Sequence, residues 1–125
     1  MSGWIGVDLD CTLAEYHGWK GHDEPIGEPI LLMVERVKLW LDKGKTVKIF
    51  TARVHGDTFG KQEKLIKEWC KEHIGQELEV TNVKTRGMYE LWDDRAIGVQ
   101  RNTGQVKRVR TSDNYSTWKN IEDSK

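Results

Sequence analysis

Asp8 and Asp10 stand two residues apart where the first apolar run, Trp4-Ile5-Gly6-Val7, comes to an end. In extended chain residues i and i+2 point the same way. The two carboxylates are therefore predicted to face one point in space while Leu9 turns back into the protein. Close carboxylates repel unless a cation or a shared proton relieves them. Alone, the pair fits surface acids, the DxD metal site of a sugar transferase, or a catalytic pair. Asp93-Asp94 closes another apolar run, Thr51 closes Thr46–Phe50, and Lys84 follows Leu78–Thr81. Four carboxylates at one sheet edge make an oxygen-rich anionic group of the kind that selects Mg²⁺ over softer metals. A hydroxyl at Thr51 and an ammonium at Lys84 suit phosphate oxygens.

These side chains need a frame that brings strand ends together. Strands are predicted at 4–8, 46–51, 78–81, 90–93 and 96–99, with a hairpin turn at Asn102-Thr103-Gly104 leading to 106–109. One helix begins at Pro29, carries Ile30, Met33, Val34, Val37, Trp40 and Leu41 on its apolar stripe, and stops at Gly44. A second opens at Asp57 or Thr58, buries Leu65, Ile66, Trp69 and Cys70, and stops at Gly75. Strands alternating with helices imply an α/β fold: a Rossmann-like three-layer sandwich with a mostly parallel central sheet, helices on both faces and a C-terminal β-hairpin. Open α/β sheets bind ligands beyond the carboxyl ends of their strands, which is where the acids fall. Residues 14–28 read as an irregular flap in which Tyr16, His17 and Trp19 either anchor the flap or stack on a nucleobase.

Composition narrows the field. The chain has 125 residues, enough for one domain over 1–125 but not for a barrel of about 250 residues. Charged residues make up 32% and mean hydropathy is −0.69, yet six Trp argue for a packed core rather than disorder. Lys+Arg and Asp+Glu balance at 20 each, which gives no general attraction to nucleic acid or membrane. Residues 84–110 are locally basic, with seven Lys/Arg, among them Arg101, Lys107, Arg108 and Arg110, against three acids. That stretch reads as a solvated hairpin or as a guide for a nucleic-acid end. Residues 111–125 form a polar tail that Tyr115 and Trp118 would pin. Two cysteines make no disulfide scaffold, the N-terminus does not read as a signal peptide, and no apolar run reaches the ~18 residues that span a bilayer. The expected location is the cytoplasm. Gly44-Lys45-Thr46 resembles the end of a P-loop but has Leu39 where glycine is needed and stands before a strand instead of a helix. Neither Cys11 nor Cys70 has the arginine six residues on that a cysteine phosphatase needs.

With these motifs in place, the chain resembles the haloacid dehalogenase-like superfamily of phosphohydrolases. Gly6-Val7-Asp8-Leu9-Asp10-Cys11-Thr12-Leu13 is similar to its first motif, Val47-Lys48-Ile49-Phe50-Thr51 to the second, Lys84 to the third, and Leu91-Trp92-Asp93-Asp94 to the acidic fourth. One departure is Cys11, where many members carry glycine. The resemblance implies that Asp8 is a nucleophile and that Asp10 protonates the leaving oxygen and then deprotonates water. It implies Mg²⁺ held by the Asp8 carboxylate, the Asp10 backbone carbonyl and Asp94, with Asp93 orienting, and phosphoryl oxygens held by Thr51 and Lys84. Arg53 and Arg95 flank two motifs and are candidates for substrate contact or for salt bridges. The short stretches 14–28 and 52–64 leave no room for a cap domain. The expected function is Mg²⁺-dependent hydrolysis of a phosphomonoester through an aspartyl-phosphate. Its substrate would be a phosphorylated small molecule, a nucleotide or a nucleic-acid end. A nucleic-acid 3′-end phosphatase and a non-catalytic phosphate-binding module are the alternatives.

Overall fold

The computed structural model describes residues 3–18 and 25–107. Expectations for Trp19, Arg108, Arg110, Tyr115, Trp118 and the tail fall outside the described residues. The chain divides into two compact units, residues 1–94 and 95–125.

In the first unit, β-branched and aromatic runs form β1 (Trp4–Val7), β2 (Val47–Phe50), β3 (Glu79–Thr81) and β4 (Met88–Trp92). They pair as a parallel sheet in the order β3-β2-β1-β4. Every pairing in this sheet is parallel, where a mostly parallel sheet was expected. The α/β Rossmann-like fold read from the alternation is the fold observed. Helix α1 (Leu31–Asp42) links β1 to β2, and α2 (Lys61–His73) links β2 to β3. Ile5, Val7, Val47 and Ile49 project from one sheet face into a core shared with Met33, Val34 and Val37 of α1 and Ile66, Trp69 and Cys70 of α2. Both helices thus serve the same face, and a second helical layer is not among the described residues. No helix there is long and apolar enough to cross a membrane.

The element boundaries shift for identifiable reasons. Pro29 is not the first helical residue: it pairs with Ala14, and Ile30 N–H donates to Leu13 O at 2.8 Å, so the chain stays extended until Leu31. Glu15 N–H donates to Glu28 O at 2.8 Å, zipping the base of the flap. Trp69 fastens it from α2 by donating its indole N–H to Gly27 O at 3.0 Å. Helix α2 starts at Lys61 instead of Asp57 or Thr58. Asp57 nevertheless caps it from outside, its carboxylate accepting from Gln62 N–H (3.1 Å) and Glu63 N–H (3.0 Å).

In the second unit the predicted strand at 96–99 is reduced to one antiparallel bridge, Val99 with Val106. Gln100 N–H donates to Gln105 O and Lys107 N–H to Gly98 O, both at 2.7 Å. The turn falls at the predicted Asn102-Thr103-Gly104, where Asn102 (φ 64°) and Gly104 (φ 78°) take the left-handed conformation. Such a narrow ribbon offers little surface for a longer ladder.

Candidate functional site

Strand order explains why residues far apart in sequence meet. The central strand β1 is flanked by β2 on one side and β4 on the other. The register pairs Val7 with Ile49 and with Trp92, so Asp8 and Asp93 emerge side by side at the carboxyl ends. Asp8 N–H donates to Trp92 O at 2.9 Å and locks that register. The Trp92 ring lies 5.0 Å from the Trp40 ring of α1, and the Arg36 guanidinium sits 5.3 Å from its centroid. The residues that follow, Asp93 and Asp94, are held from a packed strand end.

One carboxylate oxygen from each of Asp8, Asp93 and Asp94 lies within 4.8 Å of the other two. Asp8 is pushed up from an ordinary 3.8 to about 7, first by burial and then by the charge of Asp93. A hydrogen bond shared with Asp94 and the Asp94 charge add to the rise, against a smaller pull from the Leu9 backbone. Three hard oxygen donors whose mutual repulsion already favours a bound proton fit a divalent cation.

Thr12 joins this group, although the sequence reading gave it no role beyond its place in the motif. Its hydroxyl donates to Asp94 Oδ1 at 3.2 Å, lies 3.5 Å from Asp8 Oδ2, and accepts from Asp94 N–H at 3.0 Å. The local fold delivers it there: Leu9 O accepts from Thr12, Leu13 and Ala14 N–H, closing a tight turn after Asp8. Cys11 crosses that turn at φ 73° with an exposed side chain. A left-handed backbone is the reason glycine suits this position.

Asp10 does not join the metal-competent carboxylates. Arg53 holds it, with Nε donating to Oδ2 and Nη2 to Oδ1, both at 2.8 Å. The Arg53 side chain is 3% exposed and that of Asp10 21%. Arg53, a candidate for substrate contact, is thus committed to a buried ion pair, and its Nη1 donates to Gln62 Oε1 at 3.2 Å. Buried Thr51 sits on the neighbouring strand end, its hydroxyl accepting from Arg53 N–H at 3.1 Å. The hydroxyl hydrogen has no acceptor among the described residues and remains available to a ligand oxygen.

Lys84 is the predicted residue that shows no contact with the acids among the described residues. It is exposed in the loop from β3 to β4, and no ion pair joins it to the acidic group among the described residues. Its neighbour Thr85 accepts the Trp4 indole N–H at 3.0 Å, at the other end of β1. Thr12 and Gln62 are the site residues that sequence reasoning missed. The DxDxT spacing was a signal for Thr12; Gln62 carries none, since nothing in its local sequence marks a polar helix residue as buried.

No family model and no curated protein matches the chain. Among solved structures it is similar to a conserved protein coded by a locus of Bacteroides thetaiotaomicron, with a TM-score of 0.51 and 24% identity. The match covers 97% of this chain and 90% of that one. At this identity the likeness carries the fold.

Proposed function

We propose that the chain is a Mg²⁺-dependent phosphomonoester hydrolase of the haloacid dehalogenase-like kind, acting through an aspartyl-phosphate. The observation that carries the reading is the convergence of Asp8, Asp93 and Asp94 at the carboxyl ends of adjacent parallel strands. Thr51 directly follows the adjacent strand β2 and Asp10 follows Asp8 by two residues, and Arg53 bonds to both.

The Asp8 carboxylate, Asp94 and the Asp10 backbone carbonyl would hold the metal, with Asp93 beside them. A divalent cation there supplies the positive charge that lets a phosphate dianion approach three acids. In the first step an Asp8 carboxylate oxygen forms a bond to phosphorus as the ester P–O bond breaks. The departing oxygen takes a proton from the Asp10 carboxyl, so an alcohol leaves and Asp8 carries the phosphoryl group. In the second step Asp10, now a carboxylate, takes a proton from water as the water oxygen bonds to phosphorus. The acyl-phosphate bond breaks, inorganic phosphate departs, and both aspartates return to their starting states. The Thr51 hydroxyl donates to a phosphoryl oxygen throughout.

Phosphate release should be measured on phosphorylated metabolites, nucleotides and 3′-phosphorylated oligonucleotides, with Mg²⁺ and after EDTA. Turnover with Mg²⁺ that EDTA abolishes is the expected result. If no ester is hydrolysed and thermal stability is indifferent to millimolar Mg²⁺, the hydrolase reading fails.

A further inference from the structure

We propose that Arg53 is a positioning residue for Asp10, and that Arg53 and Gln62 together form a buried bracket that aims the Asp10 carboxyl at the bond being broken. The inference rests on the hydrolase reading for Asp10 and adds to it a role for two residues that the reading does not use.

Three elements meet in the bracket. Asp10 stands in the turn after β1, Arg53 in the 3-10 turn after β2 (Ala52–Val54), and Gln62 in the first turn of α2. Each has its backbone fixed separately. Arg53 N–H donates to the Thr51 hydroxyl at 3.1 Å, and Gln62 N–H donates to the Asp57 carboxylate at 3.1 Å. The Asp10 turn is closed by Leu9 O. Side-chain bonds then run from Gln62 Oε1 to Arg53 Nη1 (3.2 Å) and from Arg53 Nε and Nη2 to the two Asp10 oxygens (2.8 Å each).

A bidentate fork does what a single bond does not. One hydrogen bond leaves a carboxyl free to rotate about its last torsion, whereas two parallel bonds to a planar guanidinium fix its plane. Each carboxylate oxygen has two lone pairs and gives one to Arg53. The remaining lone pairs stay free to hold or receive a proton. A proton placed on one leaves both Arg53 bonds intact, so a single geometry serves both the donating and the accepting step. The gradient of exposure fits this arrangement, with Arg53 at 3% behind and Asp10 at 21% in front. Gln62 is buried as well. It sets the roll of the guanidinium by accepting from the one nitrogen that Asp10 does not engage.

Leaving groups of different basicity separate positioning from mere stability. A phenolate such as p-nitrophenolate departs without a proton, whereas an alkoxide needs one from Asp10. With Mg²⁺ present, kcat should be compared on p-nitrophenyl phosphate and β-glycerophosphate for wild type, R53M, R53K and Q62A. For R53M the expected loss is at least tenfold greater on the alkyl ester, with KM little changed. R53K should recover part of that difference, and Q62A should show the same pattern at roughly threefold. Equal losses on both esters, or no loss, would overturn the proposal.

Q62A removes the bond to Arg53 Nη1 and leaves the Arg53–Asp10 ion pair in place, so it decides the matter if R53M does not fold. A readout independent of turnover separates the inference from the hydrolase reading. The carboxyl ¹³C resonance of Asp10 should be single in wild type and should broaden or move in Q62A and R53K while that of Asp94 stays put. An unchanged Asp10 signal overturns the bracket even if the enzyme is active. A changed signal in a protein that hydrolyses neither ester would sustain the bracket and remove the hydrolase reading instead.

Discussion

Thr12 and Asp94, 82 positions apart, exchange two hydrogen bonds: the Asp94 backbone donates to the Thr12 hydroxyl, and that hydroxyl donates to the Asp94 carboxylate. The contact ties the turn after β1 to the end of β4. It sets the spacing of the acids that Asp8 meets.

Thr12→Val keeps the shape of the side chain, leaves the Asp94 N–H without its acceptor and frees the Asp94 carboxylate. The expected cost is about 1–3 kcal/mol of stability, read as a lower midpoint in urea. Mg²⁺ affinity should weaken in the same variant, because one carboxylate loses its orientation. Unchanged stability together with unchanged Mg²⁺ affinity would show that the contact has no structural role.

The raised Asp8 makes a signed prediction about pH. Its folded value, about 7, stands above the ordinary 3.8. Between these values the folded protein binds a proton that the unfolded chain does not, so stability falls as pH rises. The contribution is complete below the ordinary value and is lost as pH passes about 7. In EDTA the protein should therefore melt lower at pH 8 than at pH 5, as far as this group is concerned. Because Asp8 is only partly buried, solvent screening brings the expected loss down to about 1–2 kcal/mol, or roughly 5 °C. Millimolar Mg²⁺ at pH 8 should reverse it. A melting temperature that rises between pH 5 and 8 in EDTA, with Asp8→Asn behaving alike, would contradict the placement of the three acids.

Much of this site was legible because strand ends announce themselves. Val47, Ile49 and Phe50, and Leu91–Trp92, are apolar, and the polar residues directly after these strands must lie where the sheet stops. That Asp93 lands beside Asp8 was not legible from either run, since it depends on the last strand pairing with the first. Arg53 was singled out as a candidate for substrate contact or for an exposed salt bridge, and its salt bridge is instead buried, with Asp10 as the partner. A bidentate pairing between side chains 43 positions apart leaves no local periodicity to read. Lys84 shows the converse. Its place after β3 matched a motif, while the path of the loop to β4 is set by Thr85 and Trp4.

Cys11 offers a test of the turn itself. A side chain at φ 73° costs about 1–2 kcal/mol relative to the right-handed backbone, and glycine avoids that cost while losing more entropy on folding. Cys11→Gly should come out stabilised by roughly 0.5–1 kcal/mol, seen as a melting temperature a few degrees higher. Since the thiol is exposed, turnover should stay within about twofold. A destabilised variant would indicate that the thiol contributes a contact worth more than the strain.

Asp8→Asn should move activity and stability in opposite directions. The amide is nearly isosteric with the carboxylate, so the fold should persist. It cannot form the acyl-phosphate that the proposed reaction passes through, so kcat should fall by at least about 10³, or ~4 kcal/mol in the barrier. One of three acids clustered within 4.8 Å loses its charge, so the metal-free variant should melt several degrees above wild type at pH 8. Groups kept for function at a cost in stability behave in this way. Surface acids would lose neither activity nor repulsion, and a non-catalytic phosphate-binding module would gain stability with no turnover to lose. Only a catalytic carboxylate in a repulsive cluster gives both effects, so the two measurements on one variant separate the three readings. Turnover within about tenfold of wild type would remove Asp8 as the nucleophile, whatever the melting curve shows.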